Sequence, residues 1–401
     1  VVGLPQLPML ADGSLDAQRL QKMVWLDQHS LATALTEQGL SNDDFVLQRS
    51  FEIIPTFSAD ELREPSKQSV TVEPYSQTDL SQRPDAWMRN GELPTDAIES
   101  KHLVEALQKT AQRFPEKGFL FINEDGRQYN YLYAQLVQDA KIAAAGLRQA
   151  QIQPGQILLL QMPFDQRFFA LWWAAVYSGV RPLVVAMPEQ YNQRNGVAQK
   201  LYNVAHNYAD LTVAAATDRV NASQEWLGSE KLVIDAYALS QGHEPLELSA
   251  FGTDPVAFLQ LTSGSTGTPK AIQITHHGIL HQVVASAQHN GYCSDNVSLN
   301  WLPFDHVVPI LTTHLKDIIL GVQQIQLPTA SVLLDPLLWL RTMAEFKVTH
   351  SWAPNFAFQR VVDALRHEKA ALDIDLSAIQ FLMNAGEQVL APVVETFTAM
   401  L

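Results

Sequence analysis

The sequence predicts an α/β protein of mostly parallel sheets covered by helices, preceded by a small α/β tail and a linker. Three observations predict it. From about His102 onward, amphipathic helical patterns alternate with short apolar strand patterns, the order that produces parallel strands with helices on both faces. The 401 residues and 47% apolar content are enough for two or three domains and a large core. Between about Pro55 and Glu99 the chain is rich in Pro, Ser, Asp and Glu and has no sustained periodicity, which reads as linker or as an extended strap. No internal repeat is apparent. The expected divisions are residues 1–54, 55–99 and 100–401.

Residues 17–52 offer a helical pattern through Leu20, Met23, Val24, Leu26, Leu31 and Leu35, then the strand-like Phe45-Val-Leu47. Leu103–Phe114 is an amphipathic helix. Phe119–Ile122, a turn at Asp125-Gly126 and Tyr129–Tyr131 predict a hairpin. A helix over about 134–149 leads through Pro154-Gly155 into a strand at Ile157–Leu160. A second helix spans Arg167–Ser178 and a strand Pro182–Val185. From Leu201 to Gly252 the pattern predicts only short strands, Leu211–Val213 and Leu232–Ile234, joined by loops. Apolar runs before Leu261 and after Lys270 predict two strands with a loop between them. Thr275-His276-His277 opens a helix to about Gln288. The two histidines are expected to pack or face solvent rather than bind metal, for want of an i,i+4 partner.

The net charge of −15, from 42 acidic against 27 basic residues, argues against nucleic acid or an anionic membrane as main partner. Cys293, the one cysteine, excludes an intrachain disulfide framework and fits a reducing cytoplasm. It is expected to be a small packed residue rather than a nucleophile. The most apolar stretch, Ile157 to Met187, is broken by Asp165, Gln166, Arg167 and Arg181, so it predicts no membrane span. No signal peptide is visible and the first residue is Val, so a processed chain or a piece of a longer polypeptide is expected.

The stretch Leu261-Thr-Ser-Gly-Ser-Thr-Gly-Thr-Pro-Lys270 carries the clearest chemistry. Gly264 and Gly267 let the backbone turn tightly and bring its N–H groups near a ligand. Thr262, Ser263, Ser265, Thr266 and Thr268 supply hydroxyl donors and Lys270 a mobile positive charge, a set suited to a polyphosphate. It is not the P-loop, because Pro269 separates the glycines from Lys270 and Ala271 stands where that motif has a hydroxyl. The stretch closely resembles the phosphate loop of the adenylate-forming superfamily. That superfamily includes acyl-CoA synthetases, fatty acyl-AMP ligases and the adenylation domains of nonribosomal peptide and hybrid polyketide synthetases.

Other motifs extend the resemblance over about residues 85–401. Ala175, Gly179, Pro182 and Leu183 fit an early family turn. Leu302-Pro-Phe-Asp-His306 is similar to the Leu-Pro-x-x-His segment of the acyl-activating members, with Gly321 ending the helix that follows. In amino-acid-activating relatives, an aspartate two positions after this histidine pairs with the substrate α-ammonium; here it is Val308. A buried ammonium without a carboxylate costs several kcal/mol, so an acid without an α-amino group is expected, unless the register slips to Asp305. Val348–Pro354 resembles the turn lining the acyl pocket, with Trp352, Pro354, Asn355, Phe356 and Phe358 as pocket lining or core. Asn384-Ala-Gly386-Glu387 resembles the turn beside the adenine and acyl sites.

The resemblance implies ATP and Mg2+, with Lys270 and the loop at the β- and γ-phosphates and Thr266 at the metal. It puts His306 near the carboxylate, and Asn384, Gly386 and Glu387 at the nucleotide. It implies activation of a carboxylic acid as acyl-adenylate and transfer to the phosphopantetheine of an acyl or peptidyl carrier protein, among neighbouring megasynthase domains. Residues 4–20 resemble the family's closing motif, with Gly13, Asp16 and Leu20 in register but Ser14 in place of its lysine, which predicts an accessory tail. Nothing after Glu387 matches the Tyr-Gly-x-Thr-Glu motif, so the expectation is the first part of a catalytic domain with little turnover alone. A free-standing acyl-CoA synthetase and a non-catalytic adenylation-like scaffold stay open as alternatives.

Overall fold

The computed structural model describes residues 98–247, 255–262, 270–367 and 374–401. The expectations for residues 1–97 and for Ser263–Pro269 lie outside the described residues.

Helix α1 (Leu103–Arg113) starts at His102, whose Nδ1 accepts from the Glu105 amide. It leads into the antiparallel hairpin of β1 (Gly118–Ile122) and β2 (Gln128–Leu132), where Gly118 faces Leu132 and Ile122 faces Gln128. Helix α2 (Tyr133–Gln149) and strand β3 (Ile157–Gln161) follow. Helix α3 (Gln166–Tyr177) is capped by Asp165, whose carboxylate accepts from the Arg167 and Phe168 amides, and strand β4 (Arg181–Val184) comes next.

The predicted loops are instead largely helical over the described residues 201–247. Helix α4 (Gly196–Asn207) precedes β5 (Leu211–Ala215), and α5 (Val220–Leu227) precedes β6 (Leu232–Asp235) and the short α6 (Ala236–Leu239). Their start signals were present: the Asn195 and Asp235 side chains each accept from two amides of the first turn.

Strands β7 (Val256–Thr262) and β8 (Lys270–Thr275) pair antiparallel, then α7 (His276–Asn290) runs to a left-handed Gly291. Strand β9 (Val297–Asn300) precedes a π-helical segment (Val308–Leu315) that continues as α8 (Lys316–Leu320). Gly321 ends α8 at φ +71°, as expected, and a Cβ there would overlap the Phe114 ring. The rest is β10 (Gln323–Gln326), α9 (Thr329–Leu334), α10 (Leu337–Glu345), β11 (His350–Ala353), α11 (Asn355–His367), β12 (Phe381–Asn384) and α12 (Ala391–Met400).

The strands form two six-stranded sheets, ordered β12-β11-β9-β10-β1-β2 and β6-β5-β3-β4-β7-β8. Only the end pairs β1–β2 and β7–β8 are antiparallel. Helix α3 is apolar all round and buried from Phe168 to Tyr177, the pattern of a helix enclosed on every side. Its Phe169 ring lies 4.7 Å from Phe119 of the first sheet, and its Trp172 ring 5.5 Å from Phe258 of the second. It is therefore the layer between the sheets. Along β3, Leu158 and Leu160 join this central core, while Ile157 and Leu159 join a second core with α4, following the strand period of two. A third core packs Trp339, Leu340 and Phe358 on Leu299 and Ile325. Cys293 is exposed rather than packed, because it stands in the turn after α7.

Candidate active site

The residues read as functional lie where strands end. Strands β9, β11 and β12 run parallel, so the segments after Asn300, Ala353 and Asn384 leave one edge of their sheet. Loops at the carboxyl ends of parallel strands are where open α/β sheets bind ligands. Strand β7 of the other sheet ends at Thr262, and the two sheets are tied at this point. Gln260 Nε2 of β7 donates to the Asp305 carbonyl at 3.1 Å.

Thr262 and Lys270 face each other across the β7–β8 pair, with the Thr262 hydroxyl 3.4 Å from the Lys270 carbonyl. Both side chains are exposed. The pairing fixes the two ends of the Ser/Thr/Gly-rich loop, while Ser263, Gly264, Ser265, Thr266, Gly267 and Thr268 themselves lie outside the described residues.

His306 is exposed and closes a turn, its amide donating to the Pro303 carbonyl at 3.2 Å. Asp305 is half-buried, and its Oδ1 is buried without a hydrogen-bond donor. Val308 is half-buried and begins the π-helical segment, a rare geometry that gathers at functional sites.

The two later motifs meet directly. Trp352 pairs with Met383 and Ala353 with Asn384 across β11–β12. Asn355, buried at the start of α11, accepts from Asn384 Nδ2 and from the Leu390 amide, both at 3.1 Å. Glu387 Oε1 accepts from the Phe356 amide at 2.6 Å, a charge-assisted bond at a helix start. Gly386 holds φ +94°, which lets the turn between them close. Asn384 Oδ1 is buried and receives no hydrogen bond.

The aromatic expectations divide. Phe358 is core, its ring 4.9 Å from Phe397. Trp352 and Pro354 are half-buried beside Asn355. Phe356 turns its ring to a small apolar cleft with Trp301, Trp339 and Arg360 and is 43% exposed. The reason given for the histidines is corrected, since an i,i+4 partner exists: His281 stands four residues after His277, their rings 3.7 Å apart, with His277 exposed. His276 accepts from the Leu103 amide at 3.3 Å. Among the described residues no group of three metal-ligating side chains occurs, and no helix is long and apolar enough to cross a membrane.

Sequence reasoning missed Gln260 and Leu390. Gln260 sits in an apolar strand just before the Ser/Thr/Gly-rich loop, where nothing local marks its distant partner, and Leu390 acts through its backbone amide, which no side chain reports.

Residues 107–401 match the family model described as AMP-binding enzyme. The chain is 26% identical over 311 residues to the medium-chain-fatty-acid–[acyl-carrier-protein] ligase JamA of Moorena producens (strain JHB), covering 74% of this chain and 51% of that protein. Among solved structures, McyG A-PCP complexed with phenylalanyl-adenylate superposes with a TM-score of 0.69 at 31% identity, over 75% of this chain and 48% of that one. The adenylation domain of a keto acid-selecting NRPS module bound to keto acyl adenylate gives 0.71 at 25% identity, over 77% and 56%. The chain spans about half, or less, of the length of the curated relatives it matches.

Proposed function

The chain belongs to the family of AMP-binding enzymes, and we propose that the protein activates a carboxylic acid lacking an α-amino group as its acyl-adenylate. The observation that carries the reading is the meeting of two chemistries at one edge. Gln260 ties the Leu302–His306 segment to the strand that enters the Ser/Thr/Gly-rich loop, and the Asn355–Asn384 contact closes the same edge.

In the proposed reaction a carboxylate oxygen attacks the α-phosphorus of ATP. The new bond joins acid and phosphorus, the α–β phosphoanhydride bond breaks, and pyrophosphate leaves. Lys270, Thr262 and the hydroxyls and amides of 263–268 hold the β- and γ-phosphates and offset their charge. Mg2+, which the residues at Thr266 would hold, adds further charge neutralisation at the phosphates. Asn384, Gly386 and Glu387 place the nucleotide, and His306 aligns the carboxylate. Val308, with Trp352, Pro354, Asn355 and Phe356, borders the acid and offers no carboxylate to an ammonium. A carrier-protein phosphopantetheine thiol then takes the acyl group: its sulfur bonds the acyl carbon, the bond to the phosphate oxygen breaks, AMP leaves and the thiol proton is released. The likeness to JamA, an acyl-carrier-protein ligase, and to McyG A-PCP supports an acceptor of this kind. In this reading 1–54 is a tail accessory to a neighbouring megasynthase domain, 55–99 a linker and 100–401 catalytic, working in the cytoplasm.

One observation favours a second reading. The buried, unpartnered Asp305 Oδ1 suits a substrate with a hydrogen-bond donor, an α-hydroxyl or α-ammonium group. Acid-dependent ATP–pyrophosphate exchange by the full-length protein separates the two, using matched acids with an α-amino, α-hydroxy, α-keto or no α-group. Exchange with acids lacking the amine is expected. Exchange with amino acids alone would make Asp305 the partner and overturn the role of Val308. A folded protein silent across the panel would point to a non-catalytic scaffold.

A further inference from the structure

Six polar side chains, none more than 6% exposed, form one connected set beneath the His306 segment: Trp173, His314, Gln324, Tyr133, Gln326 and Asn300. Trp173 Nε1–H has only a proton to give, and it donates to His314 Nε2 at 2.9 Å. The imidazole proton is therefore on Nδ1, which donates to Gln324 Oε1 at 3.2 Å. Gln324 Nε2 donates to the Tyr133 hydroxyl at 2.8 Å, which donates on to the Val322 carbonyl at 2.6 Å. Gln326 Nε2 approaches the same Gln324 oxygen at 3.4 Å. Asn300 Nδ2 donates to Gln326 Oε1 and to the Leu302 carbonyl, both at 3.0 Å, and Asn300 Oδ1 accepts from the Leu302 amide at 3.2 Å.

Both ends of the segment that presents His306 and Val308 are thus held by one strand. Gln324 and Gln326 stand two apart on β10 and so share a face. Gln326 holds Asn300 and, through it, the start of the segment. Gln324 holds His314 and, through it, the π-helical segment at its end. The middle is pinned by Phe304, whose ring meets Phe169 edge-on at 4.9 Å in the aromatic nest around His314. Burying this many polar groups is costly unless every one is paired, and a paired set admits one arrangement of its members.

We propose that the Gln324–Gln326 pair of β10, acting through His314 and Asn300, is a positioning device that sets where His306 and Val308 stand relative to the acid. These are positioning residues: their side chains are buried beneath the segment rather than presented on it. The proposal rests on the adenylation reading for what is positioned, and on geometry alone for the positioning.

The test uses the full-length protein with Gln326→Leu, which removes the acceptor of Asn300 while keeping a side chain of similar volume, and Gln326→Glu. Buried and neutral, a glutamic acid offers the same one acceptor and one donor direction. Hydrogen exchange is read first, because it does not depend on activity. Gln326→Leu is expected to speed exchange across peptides covering 300–315 by about tenfold or more, the loss of one buried hydrogen bond, with β3–β5 peptides unchanged. In ATP–pyrophosphate exchange the KM for the acid is expected to rise by about tenfold to a hundredfold, as misplacement by an ångström does, while the KM for ATP stays put. Gln326→Glu is expected to restore both readouts toward the parent at low pH and lose them as pH rises. Unchanged exchange over 300–315 in Gln326→Leu overturns the proposal, as does an equal rise in both KM values. A parent protein without pyrophosphate exchange overturns the adenylation reading instead, and hydrogen exchange still decides the positioning.

Discussion

Lys270 is the described cation at the mouth of the Ser/Thr/Gly-rich loop, exposed and anchored by its backbone opposite Thr262. Its side chain contributes nothing to the core, so Lys270→Ala is expected to leave the melting temperature unchanged. Pyrophosphate exchange should fall by about a hundredfold to a thousandfold, the cost of removing one group that stabilises transition-state charge. Retained exchange in the variant would remove Lys270 from the phosphate site. The proposed site rests on residue type that the sequence displays directly at Lys270, His306 and Asn384. It was illegible at Gln324 and Gln326. Glutamines two apart on a strand read as a face turned to water, and only the tertiary partners His314 and Asn300 show them to be buried.

At the scale of elements, the alternation of helix and strand from Leu103 to Val184 was readable because each apolar run has one period and a clear stop. The helices α4, α5 and α6 were missed because their residues are poor helix formers, Asn203, His206 and Asn207 in α4 and Val220, Asn221 and Ser223 in α5, and α6 is a single turn. The π-helical segment was hidden for another reason: its wider turn shifts apolar positions off the 3.6 spacing. The end of α8 was foreseen at Gly321, and both its positive φ and its contact with Phe114 demand glycine. Gly321→Ala is expected to cost about 1–3 kcal/mol through backbone strain and overpacking, read as a lower urea midpoint. Adding Phe114→Ala should return part of that loss by making room. A single variant as stable as the parent would show that α8 can end elsewhere.

For the whole molecule, two buried imidazoles set a dependence on acid. Burial lowers His314 to about 3. Burial, then the nearby Lys316 charge, lowers His350 to about 4. Below about pH 6.5 the unfolded chain takes up protons that these folded imidazoles refuse, so stability falls with pH toward about 4 and about 3. Asp317 works in the opposite direction. Its burial, outweighing Lys316 and the Ser298 hydroxyl, raises its carboxyl, so the folded state gains a proton first as pH falls and offsets part of the loss. The urea midpoint is expected to drop between about pH 7 and about pH 5, each histidine contributing about 2 kcal/mol at the lower value. His350→Leu should make the drop shallower; an equal slope in the variant would assign the acid sensitivity elsewhere.

The bond from Gln260 to position 305 reaches a main-chain oxygen, not a carboxylate. The brace between the two sheets is therefore blind to which amino acid occupies that place. Natural drift or a designer can exchange Asp305 for a shorter, longer or uncharged side chain while this tie to β7 is kept.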